Sequence, residues 1–189
     1  MDIKTFNIKG LVLLTPPRFE DDRGYFTETY NAARLKEIGI TEPFVQDNHS
    51  LSRQRGVVRG LHCQLPPHAQ GKLVRCTRGS IWDVGVDIRA GSPTFGQWVG
   101  ETLSAENGAQ LWIPAGFLHG FCTLTDNAEV QYKCTDFWNR ECERSVRWDD
   151  PLLAIDWPVA AGEAIVSAKD AQALAFSSVD DWFTHTADA

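Results

Sequence analysis

The chain is punctuated into short runs of extended character, each closed by a turn signal, which leaves little room for long helices. Gly24–Tyr30, Phe44–Leu51, Val57–Gln64, Lys72–Thr77, Ser80–Ile88, Phe95–Leu103, Gln110–Ile113, Gly120–Leu124, Val130–Phe137 and Ser145–Trp148 read as strands or apolar runs. Arg78-Gly79, Ala90-Gly91-Ser92-Pro93, Asn107-Gly108, Pro114-Ala115-Gly116 and Thr125-Asp126-Asn127 separate them. Many short strands at this spacing predict an all-β sandwich or barrel. Helical patterning is confined to the margins. Asn31 caps a predicted helix over Ala32–Ile38 that stops at Gly39, and Ser167 caps another over Ala168–Ala175. Their side-chain oxygens suit the free amides of a first turn, and glycine suits the last. No repeat, low-complexity tract or composition shift marks a linker. Residues 1–189 therefore read as one domain, with a barrel core over about 20–150 and a more helical tail over about 160–189.

Composition sets the remaining bounds. The 189 residues are 43% hydrophobic and 23% charged, ordinary for a globular chain with a self-sufficient core. No stretch approaches the roughly 20 apolar residues of a membrane span. The opening Met1-Asp2-Ile3-Lys4-Thr5 lacks the basic and apolar regions of a signal peptide. Five cysteines (Cys63, Cys76, Cys122, Cys134, Cys142) are odd in number and form no Cys-x-x-Cys pair. They read as reduced, mostly buried thiols of a cytoplasmic protein. A net charge of −7 argues against nucleic acid or an anionic membrane as partner. It leaves room for a local cationic pocket that takes a small anion.

Arg59, His62 and Lys72 fall within fourteen positions around a Pro66-Pro67 turn, and His119 follows in Pro114-Ala115-Gly116-Phe117-Leu118-His119. Burying such groups unpaired is costly. Converging in one cavity, they would form a site that binds an anion and moves a proton. Alternation supports an internal polar face: Trp82, Val84, Val86 and Ile88 share one side of a strand while Asp83 and Asp87 share the other. Gln46, Asn48 and Ser50 likewise share a face. A barrel interior carrying such groups is a ligand cavity rather than a dry core. Arg59 and His62 point to opposite faces of a regular strand, so they converge only if the strand bulges, and Gly60 is the place for it. A metal site is the competing reading. It fits poorly, because His62-Cys63-Gln64 is not His-x-His, no nearby Glu completes a set, and His68 sits in a proline turn.

These pieces together resemble the dTDP-4-dehydrorhamnose 3,5-epimerase family of cupin-type jelly-roll β-barrels. The resemblance runs in order through Phe19-x-Asp21-x-Arg23-Gly24-Tyr25-Phe26-x-Glu28, Gln46-Asp47-Asn48-His49-Ser50, Arg59-Gly60-Leu61-His62 and Gln70-Gly71-Lys72-Leu73-Val74. It continues through Asp83–Arg89, Ser92-Pro93-Thr94-Phe95-Gly96, Pro114-x-Gly116-Phe117-x-His119, Tyr132-Lys133-Cys134-Thr135 and Trp148-x-Asp150-Pro151, covering about residues 3 to 175.

The resemblance implies an isomerase that inverts C3 and C5 of dTDP-4-dehydro-6-deoxy-D-glucose, giving dTDP-4-dehydro-L-rhamnose in dTDP-rhamnose biosynthesis. It implies no metal and no cofactor. By the same resemblance His62 is the base, Asp170 its orienting carboxylate, Lys72 the cation beside the C4 oxygen, and Tyr132 the acid on the opposite face. Arg23, Arg59 and Lys169 match positions that contact the diphosphate and nearby groups, and Lys72 counts among the substrate-binding positions as well. Glu28, Gln46, Asn48, His119 and Glu143 match hydrogen-bonding positions, and Phe26 an aromatic face for the base. The family's site forms within a homodimer, with N-terminal residues reaching into the partner.

Taken singly, each residue has a plainer reading. His62 suits a core histidine, Arg59 and Lys72 suit edge charges that block strand addition, and Asp170 suits a carboxylate favouring a helix start. Their joint occurrence in family order overrides those readings. Three departures from the pattern carry expectations of their own. Cys63 stands where an aromatic residue commonly follows the histidine and is expected to widen the site wall. Phe137-Trp138 stands where two tyrosines are frequent, which keeps a single-site epimerase or a 3,4-ketoisomerase in play. Trp182 and Phe183, beyond the matching motifs, are expected to cover the barrel or join a dimer contact. A nucleotide-sugar-binding barrel without turnover is the rival outside enzymes.

Overall fold

Residues 1–179 and 181–185 are described by the structure, a computed structural model. In chain order its strands are β1 (Asp2–Thr5), β2 (Val12–Thr15), β3 (Arg18–Asp21), β4 (Gly24–Thr27), β5 (Gln46–Ser52), β6 (Val58–Gln64), β7 (Lys72–Arg78) and β8 (Ser80–Asp87). There follow β9 (Arg89–Ala90), β10 (Trp98–Ser104), β11 (Gln110–Ile113), β12 (Phe117–Thr123), β13 (Ala128–Cys134), β14 (Glu143–Ser145) and β15 (Phe183–Thr184). Two helices, α1 (Ala32–Glu37) and α2 (Ala168–Ala171), lie outside the sheets. Six strands form one sheet in the order β1-β2-β11-β7-β13-β5, and five form a second in the order β10-β8-β12-β6-β14. All pairings within these two sheets are antiparallel. The architecture is the expected all-β jelly roll.

Alternation decides which side chains fill the space between the sheets. Val74, Cys76, Leu111, Ile113 and Val130 from the six-stranded sheet meet Ile81, Leu103, Phe117 and Phe121 from the other. The opposite face of β8 and its neighbours carries Leu61, Cys63, Val84, Val86 and Leu118, and the C-terminal segment covers it. Trp182 and Phe183 pack on this outer cluster. Every residue of β12 is buried, because core lies on one side and the tail on the other. A third cluster (Leu14, Leu35, Leu73, Trp112) seats α1 against the outside of the six-stranded sheet. Asn31 caps α1, accepting from the amides of Ala33 and Arg34.

The structure corrects the sequence reading at both ends. β1 and β2 extend the six-stranded sheet, so it begins well before the expected barrel start near residue 20. The tail is less helical than expected: α2 is a single turn ending at Ala171, and Phe176–Ser178 is one 3-10 turn. Backbone pairing to strand edges wins over local helix propensity there. Val58 N–H donates to Ile165 O at 2.9 Å, and Leu174 N–H to Ser145 O at 3.1 Å. Beyond it, β15 pairs in parallel with β9. Residues 180 and 186–189 of the expected tail lie outside the described residues.

The bulge in β6 is present. Across β12, His119 faces His62 while Phe121 faces Arg59, so three steps on β6 match two on β12. Gly60 takes φ +113°, and a Cβ there would stand 2.7 Å from His119 O and 2.8 Å from Gly120 Cα. Arg59 and His62 thereby share the inner face. Gly60→Ala adds a Cβ that this approach cannot accept and places alanine where φ is unfavourable. It should lower stability by ~2 kcal/mol or more, read as a reduced midpoint in urea unfolding followed by circular dichroism.

Candidate active site

One end of the space between the sheets opens into a cavity of about 480 Å³ lined by both sheets and the tail. His62 and Arg59 enter from β6, Lys72 from β7, His119 from β12, Tyr132 from β13, Glu143 from β14, and Lys169 and Asp170 from α2. The remaining lining includes Ser50, Phe121, Ile165 and Ser167. His62 and Tyr132 thus stand on opposite walls, since β6 and β13 belong to different sheets.

The tail completes the His62 environment. His62 Nε2 lies 2.6 Å from Asp170 Oδ1, and Asp170 Oδ2 accepts from the amide of Gly60 at 3.4 Å. Asp170 is held in turn by the Ser167 cap, whose Oγ accepts from its amide at 3.1 Å. The bulge and the cap therefore converge on one carboxylate. Burial alone would push Asp170 up, but the hydrogen bond and charge of His62, with the Gly60 amide, hold its carboxyl below the usual range. With Nε2 committed to Asp170, His62 Nδ1 keeps a lone pair for a proton from a ligand.

The other groups are also shaped by burial. Burial pushes the Lys72 ammonium down, while the charges of Asp83 and Glu143 pull it back up. Burial pushes the Tyr132 phenol up, so it stays protonated and can act as an acid. Arg59 is anchored by Ser52 Oγ at 3.1 Å and Leu51 O at 3.3 Å, which aims its guanidinium along the cavity mouth. Glu143 and Lys169 form a 2.6 Å ion pair across the same mouth.

The match to known proteins follows this geometry. The family model for dTDP-4-dehydrorhamnose 3,5-epimerase matches residues 5–178. The chain belongs to the dTDP-4-dehydrorhamnose 3,5-epimerase family. It is 56% identical to a dTDP-4-dehydrorhamnose 3,5-epimerase of Pseudomonas aeruginosa over 92% of this chain and 94% of that one. The solved dTDP-6-deoxy-D-glucose-3,5-epimerase of Legionella pneumophila, in complex with dTDP-4-keto-L-rhamnose, superposes with a TM-score of 0.93 at 48% identity. That alignment covers 98% of this chain and 99% of the other. A dTDP-4-dehydrorhamnose 3-epimerase of Streptomyces niveus is 38% identical over 96% of this chain and 86% of its own length.

Eight residues expected from the epimerase resemblance (His62, Lys72, Tyr132, Asp170, Arg59, His119, Glu143, Lys169) line the one cavity. Gln46 and Asn48 lie on the inner face of β5 beyond it, bonded to each other at 3.1 Å. Gln46 Oε1 also accepts from the Trp138 amide at 2.9 Å. Arg23, Phe26 and Glu28 are not brought to this chain's cavity. They belong to the β3–β4 hairpin and the segment after it, where Arg23 pairs with Asp21 and Glu28 with Arg34. Cys63 does not form the site wall either: it points to the outer cluster with Leu61 and Val84, and burial pushes its thiol up to about 12. Phe137 and Trp138 are more than half exposed. Asp83 was not among the expected site residues, although the alternation of β8 already set it opposite Trp82 and Val84.

Because the Asp170 carboxyl sits below its ordinary value of 3.8, its stabilising contribution is present above that pH and lost as the pH falls through the lower folded value. Urea midpoints measured against pH should fall on the acid side in the native protein. In Asp170→Asn that acid-side fall should be shallower.

Proposed function

We propose that this chain is an isomerase that epimerises a dTDP-linked 4-keto-6-deoxy sugar at C3 and C5, converting dTDP-4-dehydro-6-deoxy-D-glucose to dTDP-4-dehydro-L-rhamnose in the cytoplasm. The observation that carries the reading is a histidine–aspartate pair and a protonated tyrosine on opposite walls of one cavity, with a lysine between the sheets. Protons on carbons flanking a ketone are weakly acidic, and removing one leaves an enolate. His62, its tautomer held by Asp170, takes that proton through Nδ1. The Lys72 ammonium stabilises the negative charge developing on the C4 oxygen. Tyr132 returns a proton from the other face, which inverts the carbon. A base working on one face alone would restore the starting sugar. Arg59 and Lys169 supply the cationic rim suited to a diphosphate, and this chemistry needs no resident metal or cofactor.

Residues 1–189 act on this reading as one domain within a homodimer. The β3–β4 hairpin carries Phe19, Tyr25 and Phe26, each more than half exposed, and an Arg23 side chain that is 89% exposed. Aromatics and a cation in that state suit insertion into a partner. Arg23, Phe26 and Glu28 would then serve the neighbouring cavity, and Gln46 and Asn48 the nucleotide end of the substrate.

The deciding experiment follows deuterium at C3 and C5 of the substrate by NMR in D2O. The native protein should exchange both carbons and deliver a product that a rhamnose-forming reductase consumes. Exchange at C3 alone would support the single-site reading, in line with the Streptomyces niveus relative. Dimer binding of dTDP without exchange would support the non-catalytic barrel. His62→Asn should lose roughly 10²–10⁴-fold in exchange rate. Tyr132→Phe should keep exchange from the His62 side yet accumulate little inverted product.

For the dimer, Arg23→Glu and His62→Asn should each be inactive alone. Co-expressed, they should recover about a quarter of native activity, because half the dimers are mixed and each mixed dimer holds one intact site. A chain that supplies its own Arg23 would recover none.

A further inference from the structure

Behind the proposed base lies a second histidine–carboxylate pair. His119 is the direct cross-strand neighbour of His62. Its Nε2 lies 2.8 Å from Oδ1 of Asp83, which sits diagonally on β8 and is wholly buried. Gly85, opposite His119 in the register, has no side chain to stand between them. Asp83 Oδ2 is buried without a hydrogen-bond partner. A fully buried carboxylate with one unpaired oxygen is costly unless a cation compensates it. Burial pushes the Asp83 carboxyl up, while the charge and hydrogen bond of His119 and then the charge of Lys72 pull it back down. Around His119 stand Asp83, Lys72 and His62. The titratable groups acting on Lys72 are Cys134 from β13, Cys63 from the outer side of β6, Asp83 from β8 and Glu143 from β14.

We infer that Asp83 is a positioning residue for the reaction proposed above, acting through two neighbours. It holds His119 with Nε2–H donated inward and Nδ1 open toward the cavity, as an acceptor for a hydroxyl of the sugar. It also keeps Lys72 a cation between the sheets, where burial works against the charge. The two dyads thereby divide their work. His62, backed by Asp170 of the C-terminal segment, takes carbon-bound protons. His119, backed by the sheet itself, accepts from a hydroxyl and stays neutral, since burial pushes its imidazole down.

This rests on the epimerase reading, but its test does not need turnover. In the native protein, 15N-histidine NMR at neutral pH should show His119 as the Nε2–H tautomer with Nδ1 unprotonated, the signal being assigned by its loss in His119→Gln. In Asp83→Asn, the Lys72 ammonium, followed through its 13Cε signal, should titrate lower by roughly one pH unit. The alkaline limb of kcat should move down with it, while dTDP binding stays within about twofold of native. A His119 carrying its proton on Nδ1, or on both nitrogens, would overturn the assignment. So would a Lys72 titration and alkaline limb unmoved in Asp83→Asn, or a parallel loss of dTDP binding and thermal stability that marks a merely structural role. If Asp83→Asn does not fold, the native histidine spectrum decides alone. If the native protein fails to exchange substrate protons, the function reading falls while the tautomer and the titration still report on Asp83.

Discussion

The close approach of Gly60 to the His119–Gly120 backbone is the constraint from which the site follows. A regular β6 would turn either Arg59 or His62 away from the interior. The extra residue admitted by the bulge brings both inward and turns the Gly60 amide toward Asp170. One backbone irregularity thus sets the facing of Arg59 and His62 and supplies a donor to the Asp170 carboxylate behind His62. A side chain at position 60 would push the two strands apart, so the chemistry depends on the absence of a Cβ.

Around this point the protein uses its two sheets for different tasks. The six-stranded sheet brings Lys72 and Tyr132, held in adjacent strands whose register places Cys134 opposite Lys72 and Tyr132 opposite Val74. The five-stranded sheet brings both histidines and Asp83. Apolar side chains fill the rest of the gap, and their burial raises the Tyr132 phenol and lowers the Lys72 ammonium. The Tyr132 phenol is kept protonated by the same packing that disfavours the Lys72 ammonium. Charged neighbours then decide how far that effect goes, which is why Asp83 and Glu143 matter beyond their own contacts.

Much of this was legible in the residues. The turn punctuation located nine of the strands, the run Ser145–Trp148 meeting β14 only at Ser145, and period-two alternation placed Asp83 opposite Trp82 and grouped Gln46, Asn48 and Ser50. The bulge was visible as a conditional, from two residues that needed the same face and a glycine between them. What escaped was long-range. β1 and β2 are four-residue runs whose partners lie a hundred residues away in β11 or beside each other, and no local pattern announces them. The tail carried a helix cap at Ser167, but its amides found strand edges first, so the helix stopped after one turn. Cys63 was read as site wall because it follows His62. Alternation after the bulge sends it to the outer cluster instead. The positions matched to Arg23, Phe26 and Glu28 came from family likeness alone, and the fold of one chain leaves them on a projecting hairpin.

Asp170 reaches His62 across 108 positions of sequence. During synthesis, every strand of the two large sheets has emerged before this carboxylate exists. At that stage His62 still lacks its partner, one side of the cavity stands unwalled, and the outer face of β12 is uncovered. Completion of the His62 environment therefore waits on a segment made after the sheets, and a product cut short after β14 would lack both Asp170 and the cover on the outer face of the five-stranded sheet. The carboxylate that faces His62 is thus supplied by the same segment that covers the outer cluster, so one docking event sets both the base of the cavity and the seal over the five-stranded sheet.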